Sequence, residues 1–268
     1  MTTTLVGSRR SKAIRRFRRF ARSGFAINGV IHFLIGAIAI RLAFGDTVDS
    51  ADQSGALHQL AETTIGRVLL WAAVAGLVSL GAWQITRAAA LFEHPRFVAR
   101  WGNRVVEAAK DLFYLGLGGT AAIFALGGST SPSETIRMLT VTLLMSDTGV
   151  LILVAIGLTA FGFGIGFISI GVRRSFTKLI RLPQNGSRYV VLTLGVAGYI
   201  AKGIALGIVG VIFVTASITR DARQVSGLDG ALRALLDIPF GVVLLTLIGV
   251  GFILFAIFLM ARTRLAKL

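Results

Sequence analysis

The sequence contains no cysteine. That excludes a disulfide framework, a thiolate nucleophile and any Cys-based metal site. Histidine is nearly as scarce, occurring only as His32, His58 and His94. Only His32 falls within a long apolar run, so a haem held by two histidines between helices is excluded. Glu93 and His94 are adjacent, but no His/Asp/Glu grouping has metal-ligand spacing, and no metal or cofactor is expected. Proline occurs four times, at Pro95, Pro132, Pro183 and Pro239. All four lie between or at the starts of apolar runs, where helix punctuation belongs. Acidic residues are few: 12 against 28 Lys and Arg, for a formal net charge of +16.

What is abundant is apolar residues, at 54% of the chain. Strong hydropathy and strong charge conflict in a soluble domain. They agree in a membrane protein whose apolar residues form spans and whose bases sit in short connections. Six apolar stretches, near 24–44, 66–86, 107–126, 149–171, 190–216 and 239–260, each approach the roughly 20 residues needed to cross a bilayer. Within lipid the backbone must satisfy its own hydrogen bonds, so such runs are helices. A transmembrane barrel would show short alternating segments instead.

The bases then set the orientation. The N-terminal tail carries Arg9, Arg10, Lys12, Arg15, Arg16, Arg18, Arg19 and Arg22. The second connection adds Arg87, Arg96, Arg100 and Arg104, the fourth adds Arg173, Arg174, Lys178, Arg181 and Arg188, and the C-terminal tail adds Arg262, Arg264 and Lys267. The alternate connections are acidic or mixed, with Asp46, Asp49, Asp52 and Glu62, then Glu134 and Asp147, then Asp221, Asp229 and Asp237. The positive-inside rule predicts both termini in the cytoplasm. Within "SKAIRRFRRF" at 11–20, Ile14, Phe17 and Ala21 share a helical face and arginines fill the rest. This basic amphipathic segment is predicted to lie on anionic lipid headgroups through Arg15, Arg16, Arg18 and Arg19. A nucleic-acid arm is the weaker reading of such a run, and no nucleic acid is expected as a partner. A cleaved signal peptide is disfavoured by the length of the following apolar run.

Self-comparison reveals an internal repeat. "GFAINGVIHFLIG" at 24–36 aligns with "GYIAKGIALGIVG" at 198–210, matching Gly24 with Gly198, Gly29 with Gly203, and Gly36 with Gly210. "SGALHQLAETTIGRVLLWAAVAG" at 54–76 aligns with "DGALRALLDIPFGVVLLTLIGVG" at 229–251, and Arg87 and Arg262 close the two units. A more diverged middle unit keeps Gly118 and Gly149 in register. The reading is a basic tail over 1–22 and three hairpins over 23–89, 104–173 and 189–262. Two spans per unit give every unit the same orientation, hence a pseudo-threefold axis along the membrane normal. Each extracellular connection is expected to hold a short helix, capped near Ser54 and Asp229.

The pieces Ala21-Arg22-Ser23-Gly24-Phe25, Gly230-Ala231-Leu232 and Pro239-Phe240-Gly241 resemble an actinobacterial membrane family known as a domain of unknown function, number twelve-zero-six. The resemblance extends over nearly all of residues 20–262, with the middle unit departing from it at Glu107. It implies six helices in three hairpins in a bacterial plasma membrane, and it brings no catalytic residues.

The spans hold few polar side chains. Glu107, Lys110, Asp111 and Tyr114 fall at i, i+3, i+4 and i+7, one stripe of the third span. Asn28 and His32 are the repeat equivalents of Lys110 and Tyr114, and Lys202 is the equivalent of Asn28. These positions are expected to meet near the axis, with Lys202 pairing to Glu107 or Asp111, since an unpaired lysine at depth costs roughly 2.5–3.5 kcal/mol. The cluster has two readings. It is a neutralised clasp that fixes hairpin packing, or an ion, proton or solute site. The glycine patterns Gly162-x-x-x-Gly166 and Gly203-x-x-x-Gly207 are expected to serve bundle packing. Phosphate-loop and aspartic-protease motifs are present only as fragments, "GLGGT" at 116–120 and "DTG" at 147–149, which read as helix and helix start. The leading expectation is therefore a non-enzymatic accessory or scaffold subunit that packs against other membrane proteins or lipids. The alternative is a small transporter or channel that uses the polar cluster.

Overall fold

The computed structural model describes residues 25–47, 50–75, 119–128, 130–183, 186–222, 225 and 227–266. Their secondary structure is helical, with one isolated antiparallel bridge between Ile180 and Ala266 and no strand among the described residues. The helices are α1 Phe25–Ala43, α2 Gln53–Glu62, α3 Thr64–Ala75, α4 over residues 119–125, α5 Pro132–Leu144, α6 Asp147–Val172, α7 Ser187–Thr219, α8 Leu228–Ala234 and α9 Gly241–Leu265. Helices α1, α6, α7 and α9 are long and apolar enough to cross a membrane. They correspond to four of the six expected spans. The run 66–86 begins as α3, and the run 107–126 is described only from residue 119. Short helices α2, α5 and α8 occupy the connections where short helices were expected.

The chain divides into two compact units. The smaller, within 57–130, packs α3 and α4 around Leu70 and Phe124, with the His58 ring edge-on to Phe124 at 6.4 Å. Thr63 caps α3: its hydroxyl accepts from the Gly66 amide at 2.9 Å and donates to the Leu60 carbonyl at 3.1 Å.

The larger unit comprises the described residues up to 56 and from 131 onward. Its starts and stops follow local chemistry. Ser131 caps α5 ahead of Pro132, and Ser146 caps α6 by accepting from the Gly149 amide at 3.1 Å. The Ser146 cap lies before the apolar run, so α6 exceeds the run 149–171, while α9 starts inside the run 239–260 and extends past its end to Leu265. The 33 residues of α7 span about 50 Å at the α-helical rise, more than a bilayer core.

Glycine decides how the long helices approach. Gly36 of α1 faces Gly249 of α9, and a methyl group on Gly36 would lie 2.6 Å from the Gly249 carbonyl oxygen. Gly210 of α7 faces Gly157 of α6 with the same 2.6 Å clearance to that carbonyl. Gly203 and Gly164 repeat the contact seven residues along. Such spacing leaves room for hydrogen alone and lets two backbones touch. In the connections, Gly66, Gly149 and Gly241 each press against the carbonyl of a leucine six residues earlier, Leu60, Leu143 and Leu235. The pattern Gly162-x-x-x-Gly166 does not work this way. Both glycines have open space above them, and the α6 glycines packed against α7 are Gly157, Gly164 and Gly171. The motif gives a spacing but does not say which face of the helix is used.

Candidate functional site

Helix α1 carries His32 and α7 carries Lys202, and the crossing of these helices with α9 brings the two side chains together. Lys202 Nζ lies 3.3 Å from His32 Nε2. His32 Nδ1 lies 2.9 Å from the Asn28 carbonyl oxygen. That oxygen only accepts, so Nδ1 carries the proton and Nε2 presents its lone pair to the ammonium. The imidazole is then the acceptor for an N–H of Lys202.

Aromatic rings flank the pair, and Lys202 is half-buried. Lys202 Nζ sits over the Phe167 ring of α6 at 5.1 Å and over the Phe255 ring of α9 at 5.3 Å. His32 is buried, with Phe255 edge-on at 5.0 Å and Phe252 at 5.8 Å. Tyr199, one turn before Lys202, continues the aromatic layer toward Phe176 and Phe258, at ring distances of 5.4 and 6.0 Å. Lys202 is near the middle of α7, over 20 Å from either helix end at about 1.5 Å per residue. Insertion of a central lysine costs about 2.5–3.5 kcal/mol. Each desolvated cation–π contact returns about 2 kcal/mol, so two rings and an imidazole acceptor offset the cost within the protein.

Lys202 and His32, two of the polar residues singled out in the sequence, lie side by side. Asn28 contributes only its backbone carbonyl, and its residue is exposed. Glu107, Lys110, Asp111 and Tyr114, and with them the expected ion pair to Lys202, lie outside the described residues, as do Arg15, Arg16, Arg18 and Arg19. Among the described residues no carboxylate pairs with Lys202. Sequence reasoning did not identify the aromatic walls. A signal existed: Phe252, Phe255 and Phe258 follow at i, i+3 and i+6, one face of a helix.

A second polar centre joins the connections at the opposite end. Asp52 caps α2, near Ser54: its Oδ1 accepts from the Ser54 amide at 2.8 Å and the Gly55 amide at 3.3 Å, and from the Ser54 hydroxyl. Its Oδ2 accepts from the Ser133 hydroxyl of α5 at 3.0 Å. Asp229 of α8 caps nothing. Its carboxylate accepts from the Ala51 amide at 2.7 Å and from Arg233 Nε at 3.0 Å. Residues of three different connections are so held together. Arg220, at the end of α7, pairs with Asp147 at the start of α6.

Helices of this length and apolarity, with their polar groups turned toward one another, define a membrane protein. A match to the family described as Domain of Unknown Function (DUF1206) covers residues 23–90 and 197–266, just over half of the chain, and the chain belongs to that family. The matched regions correspond to the first and third hairpins read from the sequence. The chain is also 28% identical over 249 residues to the uncharacterized protein YxxB of Bacillus subtilis (strain 168), covering 90% of this chain and 88% of the relative. No solved structure matches it.

Proposed function

We propose that the protein is an integral protein of a bacterial plasma membrane that acts as a non-enzymatic accessory or scaffold subunit, packing against other membrane proteins or lipids. The reading gives it six spans, in three parallel hairpins related by a pseudo-threefold axis, with both termini in the cytoplasm. One observation carries the functional part. Lys202 and His32 face each other and a wall of phenylalanines, and the two grooves along α6 and α7 are lined by other, apolar residues such as Ile165, Ile204, Val211 and Leu206. A polar pair enclosed in this way fixes helix packing.

The repeat is supported by the glycine contacts. Gly36 and Gly210 are equivalent positions in their hairpins, as are Gly249 and Gly157, and each pair meets at the same clearance. The matching leucine contacts of Gly66, Gly149 and Gly241 extend the equivalence to all three units. The orientation is supported by charge. In the larger unit every described Asp and Glu lies at the end of α5 and α8, and the opposite end carries Arg173, Arg174, Arg181, Arg188, Arg262 and Arg264.

A small ion, proton or solute carrier is the second reading. An ionisable pair in the middle of the spans favours it. Gentle extraction from the native membrane followed by native mass spectrometry separates the two readings. A scaffold subunit migrates with a defined set of membrane proteins, and a carrier migrates alone or as a homo-oligomer.

A further inference from the structure

The bundle end formed by the last turns of α6 and α9 and the first turns of α1 and α7 is built around a strap. After α6 the chain turns through Arg174, whose φ is 53°, into a short 3-10 helix, Ser175–Leu179. Phe176 from this turn is buried, 5.4 Å from Tyr199 and 5.2 Å from Phe258. Ile180 then bridges to Ala266, and the Arg181 amide donates to the Leu265 carbonyl at 2.7 Å. The strap is therefore fixed to the end of α9. It delivers Arg173, Arg174 and Arg181 to the same surface as Arg262 and Arg264, all exposed except Arg262. Among the described residues this end has no Asp or Glu.

Arg262 is the organised member of the group. Its guanidinium lies over the Phe25 ring at 4.4 Å, and its Nε is buried without a hydrogen-bond partner. A guanidinium held over an aromatic ring and hydrogen-bonded to the Tyr199 side chain is fixed in place, and its remaining donors suit a phosphate. The same end also exposes the apolar side chains of Val172, Leu179, Val190 and Met260. A ligand that fits both features carries a phosphate on hydrocarbon chains.

We propose that this end binds the phosphate of an anionic phospholipid, with Arg262 as its anchor and the strap arginines as its rim. The proposal rests on the membrane reading above and is independent of whether the protein has partner subunits. The test is native mass spectrometry of the full chain in neutral detergent, with phosphatidylglycerol or phosphatidylcholine added in equal amounts. The wild type is expected to retain phosphatidylglycerol several-fold better. Arg262→Gln is expected to lower that retention at least fivefold. The double variant Arg181→Gln/Arg264→Gln, altered only at exposed side chains, is expected to lower it at least twofold. A tail variant with Arg15, Arg16, Arg18 and Arg19 changed to Gln is expected to keep the preference, and millimolar inorganic phosphate is expected not to displace the lipid. Equal retention of the two lipids, loss of preference in the tail variant alone, or no loss in both site variants overturns the proposal. Displacement by inorganic phosphate overturns the lipid assignment and leaves a soluble-phosphate site.

Discussion

Helices α1 and α7 lie in the two regions that the family match covers, and they differ in an instructive way. Both approach a neighbouring helix through one glycine, Gly36 on α9 and Gly210 on α6, with the same clearance to a carbonyl oxygen. At the equivalent polar position, however, α1 has an exposed Asn28 and α7 has Lys202, enclosed by His32, Phe167 and Phe255. Backbone approach is the part of the design that recurs. The polar content differs between the two helices, and only one of them places a charge where the protein has to neutralise it.

The sharpest way to break the shared part is to widen the two glycines. Gly36→Leu and Gly210→Leu both drive a side chain into a backbone carbonyl, and each is expected to cost several kcal/mol, at or above the roughly 1–3 kcal/mol typical of overpacking. Thermal unfolding in detergent should show similar large losses for the two, and a loss at only one site would dissolve the equivalence.

The part that differs should respond to the shape of the substitute. Lys202→Ala leaves a gap between two rings and an unpaired His32 Nε2, and an expected loss of roughly 2–4 kcal/mol combines cavity and orphan-acceptor costs. Lys202→Met keeps the volume but leaves the same unpaired Nε2, so it should cost about 1–3 kcal/mol, less than the Ala variant. The same melts read both, and a larger loss in the Met variant would mean that the charge itself holds the bundle together.

In the connections, Asp229→Ala strands the Ala51 amide, and about 1–3 kcal/mol should be lost for the unsatisfied buried donor. Faster hydrogen exchange at Ala51 would localise the effect. The smallest changes should come from Asn28→Ala and Gly162→Ala, both within about 0.5 kcal/mol of wild type. Asn28 is exposed, and Gly162 has open space above it.

The sequence made the helices legible because hydropathy, caps and glycine register are local signals. It also made Lys202 and His32 legible as polar residues in apolar runs. Their direct contact joins residues 170 positions apart, and the Ala51–Asp229 bond joins residues 178 apart. Periodicity carries no information over such separations. The Phe252–Phe255–Phe258 stripe fixes a helix face, but only the crossing with α1 and α7 gives that face a lysine to cover. The cap near Ser54 is Asp52, whose two oxygens accept from the helix amides and from Ser133 together.

The central claim is that the Lys202–His32 pair is a packing clasp in a non-transporting protein. Its most direct test is proton and alkali-cation flux into liposomes containing purified wild-type protein or the Lys202→Met variant, with folding of both verified by thermal melts. The account predicts flux no greater than in protein-free liposomes for both proteins. Flux through the wild type that disappears in a folded Lys202→Met variant would contradict it and make the pair a conduction site.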